Sequence, residues 1–181
     1  SKARFTDDTV CTVAVADALI RGSDPQATLI DWCKRYAENG GWGRRFAEWF
    51  TGDNPKPYGS WGNGAAMRIA PVGIVGVLVG REMTYEIAVA QASITHFDPA
   101  ASAGAAIVAE IIRQTIVTGD FETAVTATFE YLAGTSLASV VLEQFVEICS
   151  PRFDPLTHAG PPNGTIWTAV AQAIWAVRST T

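Results

Sequence analysis

The sequence predicts an all-α protein, a compact bundle of many helices. Apolar residues recur at helical spacing along most of the chain, and no stretch alternates apolar and polar residues as a strand does. Clusters of Gly, Pro and Asn interrupt this pattern at short intervals, as expected between helices. With 181 residues, of which 48% are hydrophobic and 17% charged, the composition fits a single globular domain over residues 1–181.

The predicted helices follow one another from the N-terminus. The first begins after Thr6, an N-cap residue, and carries Asp7 and Asp8 where the helix dipole favours negative charge. A second follows Pro25, and the aromatic residues of 46–50 mark a short third one. Later helices are predicted over 65–80, 84–95, 100–117, 121–132, 137–148 and 165–177, with irregular loops at 51–64 and 151–163.

Charge and apolar run lengths exclude some classes of protein. The net charge of −5 argues against a nucleic-acid binder that relies on a broad basic surface. The longest near-apolar run, 69–80, is shorter than the roughly twenty residues of a membrane span. No secretory signal pattern is visible, and Cys11, Cys33 and Cys149 have no C-x-x-C spacing, so we expect buried, reduced thiols in a cytoplasmic protein.

Three short segments contain the residues that could perform chemistry. Thr6, Asp7 and Asp8 place one hydroxyl and two carboxylates side by side, and such oxygen ligands suit a hard cation such as Mg²⁺. The simpler interpretation is helix capping with favourable dipole interactions.

The second segment is a glycine-rich loop, 59–68, that opens a helix. Small residues let a ligand approach the backbone, and helix N-terminal amides favour phosphate. Asn63 can donate and accept hydrogen bonds, Arg68 adds a guanidinium, and Trp61 could stack on a base or ribose. A flexible turn with a packed glycine face explains the same residues.

The third segment places His96 at the end of a predicted helix, before Phe97-Asp98-Pro99. A histidine in this position often interacts with the free carbonyl groups of the last helical turn. A role at a ligand site is the alternative.

Taken in order, these segments resemble the ADP-ribosylglycohydrolase family, which includes the dinitrogenase reductase-activating glycohydrolase. The matching elements are Phe5-Thr6-Asp7-Asp8-Thr9, the long run from Tyr58-Gly59-Ser60 to Pro71-Val72-Gly73, Ile94-Thr95-His96-Phe97-Asp98-Pro99, and a late helix over 163–176. The resemblance implies an all-α fold with two Mg²⁺ ions in a central cleft. It also implies hydrolysis of the glycosidic bond between ADP-ribose and a protein side chain or a related acceptor.

The resemblance also implies residue roles. Thr6, Asp7 and Asp8 match the family's first set of metal ligands, and Asp7 or Asp8 would orient or deprotonate the attacking water. The matched pocket residues, which would contact ADP-ribose or an ADP-ribosylated protein, are Ser60, Gly62, Asn63, Gly64 and Met67, with Trp61 inside the same loop and His96 nearby.

The sequence departs from the family pattern at both ends. An upstream Gly-Asp-Ala-type segment and a late Asp-x-Asp-Thr motif are missing, so we expect a shortened domain that holds Mg²⁺ weakly. Three hypotheses follow: a hydrolase completed by a second chain or by Asp17 or Asp154, an inactive relative that binds ADP-ribose or another nucleotide, and a protein-interaction scaffold. Exposed apolar helix faces predict self-association in each case.

Overall fold

The fold is given by a computed structural model that describes residues 5–137, 139–150, 152, 154 and 165–180. Across these residues the regular elements are helices, accompanied by two isolated bridge pairs of extended backbone. The prediction of an all-α bundle is therefore confirmed.

Nine α-helices are described in these ranges. They are α1 (Asp7–Arg21), α2 (Pro25–Arg35), α3 (Arg44–Thr51), α4 (Ala70–Val79), α5 (Arg81–Ser93), α6 (Pro99–Thr118), α7 (Phe121–Leu132), α8 (Ser139–Ile148) and α9 (Ile166–Arg178). Short 3₁₀ turns lie at Ala37–Asn39 and Asn63–Ala65.

Helix α6 forms the centre of the larger hydrophobic core. It contacts α4, α5, α7, α8 and α9, and most of its residues are buried. By length and composition it could cross a membrane, but 67% of its apolar window is buried inside the protein, as in the core helix of a globular domain. Alanines such as Ala101, Ala105 and Ala109 are completely buried and let the neighbouring helices approach closely.

Glycines allow the closest of these approaches. A Cβ at Gly73 of α4 would lie 2.6 Å from the carbonyl oxygen of Ala109 and 2.8 Å from Cβ of Ile112. A Cβ at Gly104 of α6 would collide with the side chain of Ile166 on α9. The backbones at both crossings are therefore too close for any larger residue.

A second, smaller core holds α1, α2 and α3 together. Its buried residues are Cys11, Ala14, Leu29, Cys33, Phe46, Trp49 and Phe50. The rings of Phe46 and Trp49 stack with centroids 5.6 Å apart. Cys11, Cys33 and Cys149 are all buried and free, which confirms the expectation of reduced core thiols.

Two predicted helix starts differ from the structure. Helix α4 begins at Ala70 and not at residue 65, because Asn63–Ala65 forms a 3₁₀ turn and Pro71 then occupies the first turn of α4. Helix α5 begins at Arg81 and not at residue 84, because Gly80 alone, at φ 87°, provides the break between the two helices.

Thr6 occupies the predicted N-cap position of α1, yet its side chain makes no capping hydrogen bond. Its hydroxyl instead donates to Oδ2 of Asp8 over 3.2 Å. The capping interpretation is therefore wrong for the side chain of Thr6, although the position was predicted correctly.

Candidate functional site

The glycine-rich loop after α3 is held at two points. The backbone N–H of Tyr58 donates to the carbonyl oxygen of Thr95 over 2.8 Å, which ties the loop to the end of α5. The N–H of Ile166 donates to the carbonyl oxygen of Trp61 over 2.8 Å, which ties it to the start of α9. These two bonds fix an irregular segment that makes few bonds of its own.

The N-terminal half of α1 lies against the same loop. The hydroxyl of Thr12 donates to the carbonyl oxygen of Asp8 over 2.7 Å, and the same hydroxyl oxygen lies 3.3 Å from the carbonyl oxygen of Met67, across 55 positions of sequence. One turn earlier, Asp7 packs against Gly41, whose φ of +88° and close contact with Asp7 Oδ1 leave no room for a side chain.

A cavity of about 350 Å³ lies between these elements. Seven of the predicted site residues line it, namely Asp7, Ser60, Gly62, Asn63, Gly64, Met67 and His96. Three do not line it: Thr6 and Asp8 are exposed beside it, and Trp61 is half exposed with its backbone bonded to α9. The structure thus brings Asp7, the glycine loop and His96 together in the wall of one cavity.

The cavity wall also contains residues that the sequence argument missed. Gly43, Arg44, Arg45 and Phe46 reach it from the start of α3, and Tyr58 reaches it from the loop. The guanidinium of Arg45 donates to the carbonyl oxygen of Gly59 over 3.0 Å and lies over the ring of Tyr58, 4.9 Å from its centroid. The basic pair Arg44–Arg45 is visible in the sequence, but nothing in its local pattern indicates a ligand site.

Positive charge predominates in the cavity. Three arginines, Arg44, Arg45 and Arg68, are among its lining residues, whereas Asp7 is the acidic residue among the described ones. Arg44 is largely exposed and also pairs with Glu48 over 3.9 Å. Cavities lined mainly by one sign of charge concentrate ligands of the opposite sign. This cavity is therefore suited to an anion.

Arg68 is completely buried at the base of the cavity. It donates to the carbonyl oxygens of Gly64 over 3.0 Å and Gln91 over 2.9 Å, and to the hydroxyl of Thr95 over 2.8 Å. Its Nε has no hydrogen-bond partner, and no carboxylate within the described part of the chain pairs with it. Burial lowers the pKa of this guanidinium, which lacks the usual compensating anion.

His96 lies next to Arg68 and is 4% exposed. Burial, together with the charges of Arg68 and Arg45, lowers the pKa of its imidazole to about 3. The ring is therefore neutral at physiological pH. A backbone bond from His96 N–H to Ala92 ends the helical turn, so the expected contact with free carbonyls is made by the backbone and not by the ring.

The two aspartates of α1 lie in different surroundings. Burial and the neighbouring charge of Asp8 raise the pKa of Asp7, while Asp8 is exposed and accepts from Thr6. Thr6, Asp7 and Asp8 provide oxygen donors of the type that Mg²⁺ prefers. Three donors from one helical turn complete at most about half of an octahedral shell.

No cluster of three or more His, Cys, Asp or Glu side chains able to hold a metal occurs among the residues that the structure describes. The two acidic residues considered as replacements do not line the cavity. Asp17 is engaged elsewhere, accepting from Trp32 Nε1 over 2.9 Å and pairing with Arg21 over 2.6 Å. The described residues therefore do not fit a pair of Mg²⁺ ions.

Fold and site together define a helical protein with a basic, glycine-lined cavity that carries one carboxylate. The family model for ADP-ribosylglycohydrolase matches residues 2–181, nearly the whole chain. The chain belongs to the ADP-ribosylglycohydrolase family, a family of hydrolases whose substrates carry ADP-ribose. No individual curated protein matches it significantly.

Proposed function

We propose that this chain binds the ADP-ribose part of an ADP-ribosylated protein or related acceptor in the cavity and hydrolyses the glycosidic bond at its end. The single observation that supports this best is the joint lining of one cavity by Asp7, the 60–64 loop and His96. A volume of about 350 Å³ falls within the range of small-molecule sites, roughly 300–1,000 Å³.

The charge of the cavity supports a phosphorylated ligand. ADP-ribose carries two phosphate groups, and three guanidiniums against one carboxylate provide the complementary potential. Arg45 is oriented by its hydrogen bond to Gly59 and its contact with the ring of Tyr58, which lowers the side-chain entropy lost when it binds an anion. The missing side chains of Gly62 and Gly64 let this loop pack closely against the ring of His96, which also lines the cavity.

Asp7 is the group that would act on the attacking water. A carboxylate whose pKa is raised by burial is a better general base near neutral pH than an ordinary exposed one. Its presence in the lining of the same cavity as the glycine loop supports this role. Asp8, outside the lining, would act through its charge on Asp7.

A metal ion would bring Lewis-acid polarisation and a more acidic water to this reaction. Because the described donors cover only part of one coordination shell, we propose at most one weakly held Mg²⁺ on Thr6, Asp7 and Asp8, and no catalytic step depends on it here. Titration with MgCl₂ by calorimetry, with Asp7→Asn as the comparison, measures this binding. Equal heats from both proteins would contradict it.

A second candidate function is binding of ADP-ribose without turnover. Most glycosidases flank the scissile bond with two carboxylates. Here a single one, Asp7, lines the cavity among the described residues. This single carboxylate favours binding without turnover over hydrolysis, and the cavity with its three arginines favours either function over a protein-interaction scaffold.

One experiment separates these functions. Calorimetry with ADP-ribose tests binding, and release of ADP-ribose from a modified protein tests hydrolysis. We expect the parent protein to bind, and Asp7→Asn to lose at least about a hundredfold of any release rate while its affinity for ADP-ribose changes little. Asp31→Asn, which removes a solvent-exposed carboxylate on α2, is the matched control and should behave like the parent.

Binding without release in the parent protein would select the second candidate. No heat with ADP-ribose, with or without MgCl₂, would contradict both ligand-binding functions. A release rate unchanged in Asp7→Asn would exclude Asp7 as the base.

A further inference from the structure

A buried chain of hydrogen bonds leads from Arg68 to the ring of His96. Nη2 of Arg68 lies 2.8 Å from Oγ1 of Thr95, and that oxygen lies 2.6 Å from Nδ1 of His96. The exposed fractions are 0% for Arg68, 0% for Thr95 and 4% for His96, so water does not compete for these bonds. Arg68 is itself fixed by the carbonyl oxygens of Gly64 and Gln91.

The chemistry of the three groups determines the direction of each bond. A guanidinium only donates, so Oγ1 of Thr95 accepts a hydrogen bond from Arg68. The hydroxyl hydrogen of Thr95 then needs an acceptor of its own. In the described part of the chain, the other polar atom that contacts this oxygen is Nδ1 of His96. Because a buried hydroxyl hydrogen without an acceptor is costly, the hydroxyl donates to Nδ1. A neutral imidazole that accepts at Nδ1 carries its hydrogen on Nε2.

The protonated nitrogen lies on the ligand side of the ring. A Cβ at Gly64 would lie 2.9 Å from Nε2 of His96, and one at Gly62 would lie 3.7 Å from it. Both glycines and His96 line the cavity. The Nε2 edge of the ring therefore lies against the glycine loop, within the wall of the cavity.

We propose that Arg68, acting through Thr95, holds His96 in the Nε2–H tautomer and makes it a fixed hydrogen-bond donor in the cavity wall, complementary to an acceptor atom such as a phosphoryl oxygen. Arg68 and Thr95 are positioning residues, because they act through His96. The tautomer follows from the hydrogen bonds alone, whereas the identity of the acceptor rests on the proposed function.

Nitrogen-15 NMR of the ligand-free protein tests the tautomer directly. The chain has two histidines, so a His158→Gln background leaves the ring signals of His96 alone. We expect one protonated nitrogen, Nε2, and one unprotonated nitrogen, Nδ1, at pH 7. Thr95→Ser keeps the hydroxyl and should keep this pattern, whereas Thr95→Val removes it and should give averaged signals from both tautomers.

A parent spectrum with the hydrogen on Nδ1, or with averaged tautomers, overturns the proposal, and this result does not require any variant to fold. The role of Thr95 is overturned if folded Thr95→Val still shows the single Nε2–H tautomer. It is also overturned if folded Thr95→Ser no longer shows that tautomer.

Affinity for ADP-ribose tests the acceptor separately. We expect Thr95→Val to bind about tenfold more weakly than the parent and Thr95→Ser to bind equally well, since one oriented bond to a charged acceptor is affected. Equal affinity of all three proteins would contradict the donor role. Absence of binding to the parent would contradict the proposed function and leave the tautomer result standing.

Discussion

At the scale of single residues, Gly64 determines how the loop fits against His96. A Cβ there would lie 2.7 Å from Cε1 and 2.9 Å from Nε2 of the imidazole, closer than real contacts allow. We expect Gly64→Ala to displace the ring, weaken ADP-ribose binding at least tenfold and lower the free energy of unfolding by about 1–3 kcal/mol. Calorimetry and chemical denaturation measure the two effects.

Gly59→Ala is the matched control, because no atom lies within 4 Å of a Cβ at that position and its φ is not positive. It should leave both quantities close to those of the parent. If Gly64→Ala were as stable and bound as well as Gly59→Ala, the close packing of the loop on His96 would be disproved.

The low pKa of His96, about 3, predicts a specific pH dependence of stability. In the unfolded chain a histidine takes up a proton near pH 6.5, so below that value the unfolded state binds more protons. Above about pH 6.5 the ring of His96 is neutral in both states and does not lower the free energy of unfolding. As the pH falls from about 6.5 toward 3, the unfolded state gains a proton that the folded state does not, and the free energy of unfolding decreases progressively. Between about pH 7 and pH 5.5 we expect the free energy of unfolding to fall by about 1 kcal/mol from this group.

Denaturant titrations of the parent and of His96→Gln at the two pH values measure that loss. The variant should lack this part of the pH dependence, while His158 and the carboxylates contribute equally to both proteins. Parallel pH dependences would show that His96 titrates normally in the folded state.

The sequence predicted single residues of the site unevenly. Residue type singled out Asp7, the loop and His96 as candidates, but their roles at a ligand site came from the resemblance of the ordered segments to a known family. Arg45 was missed because a basic pair at a helix start has no ligand signature of its own. Its position in the cavity depends on tertiary contacts with Gly59 and Tyr58, and a local sequence pattern does not predict such contacts.

At the scale of elements, the crossing of α4 and α6 depends on Gly73. In an exposed helix Gly→Ala stabilises by roughly 0.5–1 kcal/mol, but here the added Cβ would meet the carbonyl oxygen of Ala109. We expect Gly73→Ala to destabilise the protein by about 1–3 kcal/mol or more, as overpacking does. Leu78→Ala, on the same helix and 86% exposed, should change stability by less than about 0.5 kcal/mol.

Thermal or denaturant unfolding of the two variants checks this comparison. A stabilising effect of Gly73→Ala would mean that the two helices can separate at little cost, and the tight crossing would then be wrong.

Most helices were predictable because an apolar stripe and its breaking residues are local features of sequence. The two helix starts that differed show the limit of this approach. At 65–69 the residues are apolar enough for a helix, but they form the turn that carries Arg68 into the core, where Gly64, Gln91 and Thr95 accept its hydrogen bonds. Because Gln91 and Thr95 are distant from Arg68 in sequence, a local pattern does not predict these hydrogen bonds.

At the scale of the whole molecule, helices α1, α4 and α5 carry large apolar side chains that are exposed, and α4 contacts each of the other two helices. These residues, here called the apolar surface, are Ile20, Ile74, Val77, Leu78, Val79 and Met83. Ile20 is 83% and Leu78 86% exposed, and exposed apolar side chains in such number favour association. We expect the protein to form an oligomer by contact of this surface with a second copy.

Sedimentation velocity over a range of protein concentrations tests this expectation. The double variant Ile74→Lys, Leu78→Lys should shift the protein to monomer, whereas Val146→Lys on α8, also half exposed, should not. A parent protein that is monomeric at every concentration would contradict it.

The hydrogen bond from Ile166 to Trp61 joins positions separated by more than half of the chain. During synthesis on a ribosome, the glycine loop would therefore emerge long before the helix that fastens it, and loop closure over such a distance is slow. Because this one hydrogen bond spans so much of the chain, we expect the loop around Trp61 to reach its native position late in folding, once Ile166 is available to donate.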